Sequence, residues 1–210
     1  MKKKQKIKRE KKKFILKKEL ETSLKYIKES KNYIIISIGL FMFFFFLGYI
    51  FPYIASEETL DPILEQIKAW IEDIINKTKG FGFFEMWYFI FSNNALVSIL
   101  SIFSGVFLGI FPIILIISNG FVIGIILSLV SSKDGFISIL YLLPHGIFEL
   151  PAIIISFSIG IKLGSFIFAR KKWKELKRLF FNSIRTLVFI ILPLLIIAAF
   201  IESLLIIYFS

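Results

Sequence analysis

The stretch YIIISIGLFMFFFFLGYIFPYI, residues 33–54, decides the fold class, because it runs for twenty-two residues without a charge. About 20 apolar residues of helix cross the hydrocarbon core of a bilayer, so a membrane span is predicted here. A strongly basic segment precedes it, with eleven Lys/Arg in residues 1–18 against one acid, Glu10. Such a flank is held on the cytoplasmic side and is attracted to anionic headgroups. The rest of the composition agrees. Of 210 residues, 57% are hydrophobic and 26 are Phe, and the mean hydropathy is +0.80, whereas soluble domains are about 25% charged and far less apolar. The absence of cysteine excludes disulfides, zinc–thiolate sites and Cys nucleophiles. Basic runs also bind nucleic acid, but long apolar runs follow both basic segments of this chain, so lipid is the expected partner and nucleic acid is not. The basic region runs about thirty residues, and the apolar run after it exceeds the ~7–15 residues of a signal peptide core. It is read as an anchor that stays.

Outward from that span, residues 1–32 form a basic cytoplasmic tail, partly helical, with a weak apolar stripe at Phe14, Ile15, Leu16, Leu20, Leu24 and Ile27. Residues 33–210 form a single membrane domain. Asp61 and Pro62 can start a helix, and Ile63, Leu64, Ile67, Trp70, Ile71, Ile74 and Ile75 follow at helical spacing. The opposite face carries Glu65, Gln66, Lys68, Glu72, Asp73 and Asn76. An outer amphipathic helix is therefore expected over 61–79, lying on the bilayer or on the membrane domain. A second span is expected over about 93–117, with a tight turn at Asn119-Gly120. The apolar run 121–130 is short and ends at Ser131-Ser132-Lys133-Asp134-Gly135. Residues 136–143 give only eight apolar residues before Pro144-His145-Gly146, so a broken or re-entrant helix is expected near 136–146. A longer apolar run reaches Ile161. A basic cytoplasmic segment covers 163–182, and the last span is about 184–209. Residues 170–185 carry seven Lys/Arg and one acid, Glu175. With both basic segments inside, the pattern predicts an all-α, polytopic membrane helical bundle of about five crossings in the cell membrane. Its N-terminus is cytoplasmic and its C-terminus outside, and anionic headgroups meet 1–18 and 170–185.

PHGIFELP, residues 144–151, places the only histidine one helical turn before a glutamate, between two prolines, in apolar surroundings. Ionisable groups at membrane depth cost several kcal/mol unless paired or wetted. Taking Lys162 and Arg185 as cytoplasmic boundaries, His145 and Glu202 each lie seventeen residues away, roughly 25 Å up a helix. Glu149 lies roughly 20 Å up on the same scale. Asn93 and Asn94 fall near the outer boundary if one span runs to Asn119. His145, Glu149, Glu202, Asn93 and Asn94 are thus expected to converge in the outer half of the bilayer. His145 and Glu149, at i and i+4, share a helix face. The pair suits a proton relay, a metal site with Glu202 as third ligand, or a structural hydrogen bond that pins a broken helix. Either a bound metal ion or no cofactor fits these residues. No catalytic residue is assigned: the zinc-protease pattern His-Glu-x-x-His is absent and no serine has the context of a nucleophile. Gly105 and Gly109, Gly120 and Gly124, and Gly160 and Gly164 are each four apart, a spacing that lets membrane helices approach closely. The contacts are expected within the chain rather than at a seam between two copies, although a homo-oligomer remains an alternative. Lys162 is expected to reach the headgroups. Pro144, Gly146 and Pro151 mark the expected helix break.

Asn93-Asn94, Gly105-x-x-x-Gly109, Asn119-Gly120-x-x-x-Gly124, Pro144-His145-Gly146-x-x-Glu149-Leu150-Pro151-Ala152 and Gly160-x-x-Leu163-Gly164 together resemble the stage II sporulation protein M family over about residues 88–165. The resemblance implies a small integral membrane protein that, in endospore formers, partners the peptidoglycan-cleaving machinery of engulfment. Two main readings of function follow. One is a scaffold or accessory partner for other membrane or envelope proteins, which the resemblance favours. The other is an ion or small-solute transporter or channel using the His/Glu site, which the buried charges favour. A metal-assisted intramembrane enzyme is a third.

Overall fold

The computed structural model describes the backbone of residues 2–134 and 137–209, and their side chains except at 2–4, 6–9, 11–13, 132–134, 137–147 and 209. The described residues are almost wholly helical. Helix α1 covers Lys2–Glu29, α2 Lys31–Ile54, α3 Glu57–Thr78, α4 Phe83–Ser104, α5 Ile110–Asp134, α6 Ile137–Gly164, α7 Lys172–Thr186 and α8 Leu192–Phe209. A 3-10 turn, Ser165–Phe168, follows α6, and a π-helical turn, Leu187–Ile191, joins α7 to α8. Five segments are long and apolar enough to cross a membrane. The molecule is a multi-pass membrane protein built as a polytopic helical bundle.

Four boundaries differ from the sequence reading. The expected second span, 93–117, is two helices. The chain turns at 105–109, where Leu108 (φ 61°) and Gly109 (φ 71°) are left-handed and α-helix cannot continue. Pro112, in the first turn of α5, is the local signal for this start. Asn119-Gly120, expected as a turn, lies inside α5, and the Asn119 amide donates to the Leu115 carbonyl at 2.7 Å. The expected break near 136–146 is not a break, since α6 is helical from Ile137 through Pro144, Gly146 and Pro151. Proline is tolerated in membrane helices because neighbouring helices and local adjustments compensate the lost hydrogen bond. The amphipathic helix also starts earlier than expected, at Glu57 after Ser56, with Pro62 inside it.

Lipid removes the hydrophobic drive for helix pairing, so close packing must supply it. Helix α6 packs against α2, α4, α5 and α8, and α2 packs most closely on α5. Glycines make these contacts. A Cβ on Gly120 would stand 2.7 Å from the Phe41 carbonyl oxygen, and one on Gly124 2.7 Å from the Tyr49 nitrogen. Gly48, which sequence reasoning passed over, faces Phe121 from the other side. The second set joins the 105–109 turn to α6. Gly105 faces the backbone of Gly160, Gly109 stands 3.1 Å from Ile161 Cα by the same measure, and Gly164 faces Gly109 and Leu108.

The basic end of the bundle is closed by α1 and α7. Arg178 pairs with Glu29 at 3.3 Å and with Glu175 at 2.6 Å, and Arg185 pairs with Glu19 at 2.7 Å. Glu29 adjoins the start of α2, while Arg185 adjoins the turn into α8. The ten residues of α1 between Glu19 and Glu29, about 15 Å of helix, therefore bridge the ends of two spans. Tyr26 is buried here, and burial pushes its hydroxyl up to about 12. Lys162 does not reach outward as expected. It is 6% exposed, donates to Ser30 Oγ at 3.0 Å and sits 4.1 Å from the centre of the Tyr26 ring. Ser30 in turn donates to the Tyr26 carbonyl at 2.7 Å. The ammonium is held at the joint between α1 and α2 by an acceptor and an aromatic face. Removing the acceptor alone strands a buried cation, so Ser30→Ala should cost about 1.5–3 kcal/mol. Lys162→Met, which removes the charge and keeps its length, should cost less. Thermal unfolding of the two purified variants measures this order, and trypsin should cut α1 of the Ser30 variant faster.

Candidate functional site

Midway along the bundle, α2, α3, α4, α5, α6 and α8 surround a cleft of ≈ 720 Å³. Its polar lining comes from five helices: Thr78 of α3, Asn93 and Asn94 of α4, Asn119 of α5, Glu149 of α6 and Glu202 of α8. Apart from Thr78, which ends α3, each sits well inside its helix, because the spans cross side by side and the glycine contacts fix their register. Asn93 and Asn94 were expected near a boundary. They lie halfway along α4 instead, since that helix begins at Phe83 and ends at Ser104. Asn119 joins them because it belongs to a helix rather than a turn. Phe41, Ile153 and Val97 make up part of the apolar wall, and Trp70, Ile74 and Thr78 of α3 border the cleft. Ile63, Ile67 and Trp70 of α3 and Asn119, Val122 and Ile125 of α5 also line a smaller cavity of ≈ 350 Å³.

Two carboxyls in one apolar-walled cleft have specific consequences. Glu149 and Glu202 face the same cleft from α6 and α8. Glu202 Oε2 is buried and, among the described residues, has no hydrogen-bond partner. An orphaned carboxyl oxygen in such a place costs stability, and a cation or a proton shared with Glu149 relieves that cost. The amides of Asn93, Asn94 and Asn119 add neutral oxygens and N–H donors around the pair. Of the other expected site residues, the side chains of Pro144, His145 and Gly146 lie outside the described residues. Along the α6 backbone, His145 precedes Glu149 by one turn. Pro151 lies within α6 and is exposed. Among the described residues no group of three or more His, Asp or Glu side chains is placed to hold a metal, so the expected metal set is represented there by Glu149 and Glu202 alone.

Sequence reasoning missed Asn119, which the dipeptide Asn-Gly disguised as a turn. It also missed the hydroxyls of α4. Asn94, Ser98, Ser101 and Gly105 recur at intervals of four, three and four, which is one face of a helix, and that spacing was the available signal.

A model of the family described as stage II sporulation protein M matches residues 37–205. The chain belongs to the stage II sporulation protein M family. No curated protein and no solved structure matches it. The family match is wider than the 88–165 core that carries the sequence resemblance. It contains the cleft carboxyls and asparagines and every glycine contact described above, whereas α1 precedes it. The acid-lined cleft therefore lies within the part of the chain that the family match covers, and the basic helix α1 lies before it.

Proposed function

We propose that this stage II sporulation protein M family member binds a small cation, a proton included, in the cleft between Glu149 and Glu202 and passes it across the membrane. The orientation that goes with this reading puts α1 and α7 on the cytoplasmic side, resting on anionic headgroups, and α3 on the outer side. The observation that carries it is the buried Oε2 of Glu202, without a hydrogen-bond partner among the described residues, in a cleft lined by a second carboxyl. A purely structural cluster would pair its oxygens, as buried polar groups overwhelmingly do. Membrane proteins keep intramembrane acids chiefly along ion and proton pathways.

A hydrophobic carbodiimide tests the reading directly, because it forms stable adducts with carboxyls in apolar surroundings. In native membranes the expected adducts fall on Glu149 and Glu202, identified by mass spectrometry, and a bound cation protects against them. An unmodified pair in protein that is labelled elsewhere would overturn the proposal.

The scaffold reading has its own support. Trp70 is 52% and Ile75 57% exposed on α3, apolar surface that a partner protein or the outer headgroup layer would cover. Under that reading, serine at both positions should release a membrane partner that co-purifies with the native chain.

A further inference from the structure

We infer that the cation is a proton, and that it travels between the cleft and the basic end along a seam of serine hydroxyls between α4 and α6. This rests on the cleft reading and goes further, because it selects one cation and traces its route. Asn94, at the cleft, opens a face of α4 that continues through Ser98 and Ser101 to Gly105. Glu149 opens the matching face of α6, which continues through Ile153 and Ser156 to Gly160. The two faces meet in register: a Cβ on Gly105 would strike the backbone of Gly160, and one on Gly160 would strike the carbonyl of Ser101. The seam thus begins at a carboxyl and an amide and ends at the 105–109 turn. From Asn94 to Gly105 it measures about 16 Å of helix.

Ser98, Ser101 and Ser156 are fully buried. Ser98 Oγ and Ser101 Oγ have no hydrogen-bond partner among the described residues. That is unusual, because serine in a membrane helix commonly donates to the carbonyl one turn back, as Ser156 does to Ala152 at 2.8 Å and Ser203 to Ala199 at 2.7 Å. Below them Ser104 donates to the Ser101 carbonyl at 3.3 Å. Each hydroxyl both donates and accepts, so a proton arriving on one oxygen releases another from the far side. Single waters between successive hydroxyls, which satisfy buried polar groups of this kind, complete the chain. At the Gly105–Gly160 crossing the two backbones are in contact, too close for a hydrated metal ion or an organic cation to pass. The titratable groups lining the cleft among the described residues are Glu149 and Glu202, and α2, α3, α4 and α5 face it without one.

The test uses the full chain in liposomes containing a pH-sensitive dye, with a potassium–valinomycin potential as the driving force. The native protein should acidify the interior, and the rate should not change when sodium replaces choline outside. Ser98→Ala with Ser101→Ala removes the hydroxyls and keeps the packing, and should slow acidification at least tenfold. Carbodiimide labelling of Glu149 and Glu202 and the size-exclusion profile should stay native. Ser156→Ala, on the facing helix, should slow it as well. Native flux in these variants, or a native protein that passes sodium and no protons, would overturn the inference while leaving the cleft reading intact. Absence of labelling in the native protein would instead remove the cleft reading beneath it.

Discussion

Replacing Gly160 with leucine is expected to leave almost no folded protein in detergent extracts. A Cβ at this position meets the Ser101 carbonyl and stands 2.7 Å from Pro112 Cγ, so it would press on α4 and α5 at once. Neither obstacle is a flexible side-chain end. Ser101 contributes backbone, and Pro112 is a fully buried ring. The clash is relieved only by driving α6 away from both neighbours. In lipid that loses the dispersion contacts that hold the helices together, with no hydrophobic term to offset the loss. Overpacking a close contact costs about 1–3 kcal/mol even where side chains can adjust, and a backbone contact adjusts less. Gly39→Leu is the control, since nothing lies within 4 Å of a Cβ there, and it should express and elute as the native chain does. Size-exclusion chromatography of fluorescently tagged variants checks both. A monodisperse, native-like Gly160→Leu protein would mean that the α4–α6 crossing is looser than described.

The second large effect is expected from Glu149→Gln combined with Glu202→Gln: cation flux falls to background while thermal stability is unchanged or higher. Glutamine keeps the volume and hydrogen-bonding capacity of each side chain and removes the charge. A buried carboxylate carries the cost of leaving water, and two in one cleft repel each other. Glu202 Oε2 also has no hydrogen-bond partner among the described residues to offset this. Removing both charges should relieve that cost, the trade of stability for activity that functional sites often show. If the carboxyls served structure instead, for example by pinning α6 to α8, the double variant would unfold at a lower temperature. Flux in liposomes and the melting point of the same preparation separate the two outcomes. Flux that persists in the double variant would remove the cleft from the transport route.

How legible these features were depended on where the physical signal lay. Span α2 was plain, because its apolar run ends at charges on one side and at Ser56-Glu57-Glu58 on the other. The periodicity of α3 was plain too, since Ile67, Trp70 and Ile74 repeat on one face. The turn at 105–109 was hidden by its own composition. Val106, Phe107 and Leu108 are as apolar as any span, and only the left-handed residues and Pro112 betray it. That single error moved Asn93 and Asn94 from mid-helix to a boundary and made Asn119 a turn residue. Glu149 and Glu202 did not depend on that turn, because each was measured from a cation, Lys162 or Arg185, that lies at the basic end. Lys162 itself was misread as reaching for headgroups. Its acceptor, Ser30, is 132 residues away in sequence, and no local pattern announces such a contact.

The seat of α1 also sets an order of events during synthesis. This helix is made before the rest of the bundle, yet the side chains that hold it come from the last third of the chain: Lys162 at Ser30 and Tyr26, Arg178 at Glu29, and Arg185 at Glu19. Contacts of such separation close late. Until they form, the basic segment lacks these partners, and in the proposed orientation its charge acts on the direction of the first span. Only afterwards is α1 tied across the finished bundle, through Glu19, Tyr26 and Glu29. One helix thus carries two successive tasks on that orientation, with its lysines as a topological signal in the nascent chain and its other side chains as the clasp in the mature one.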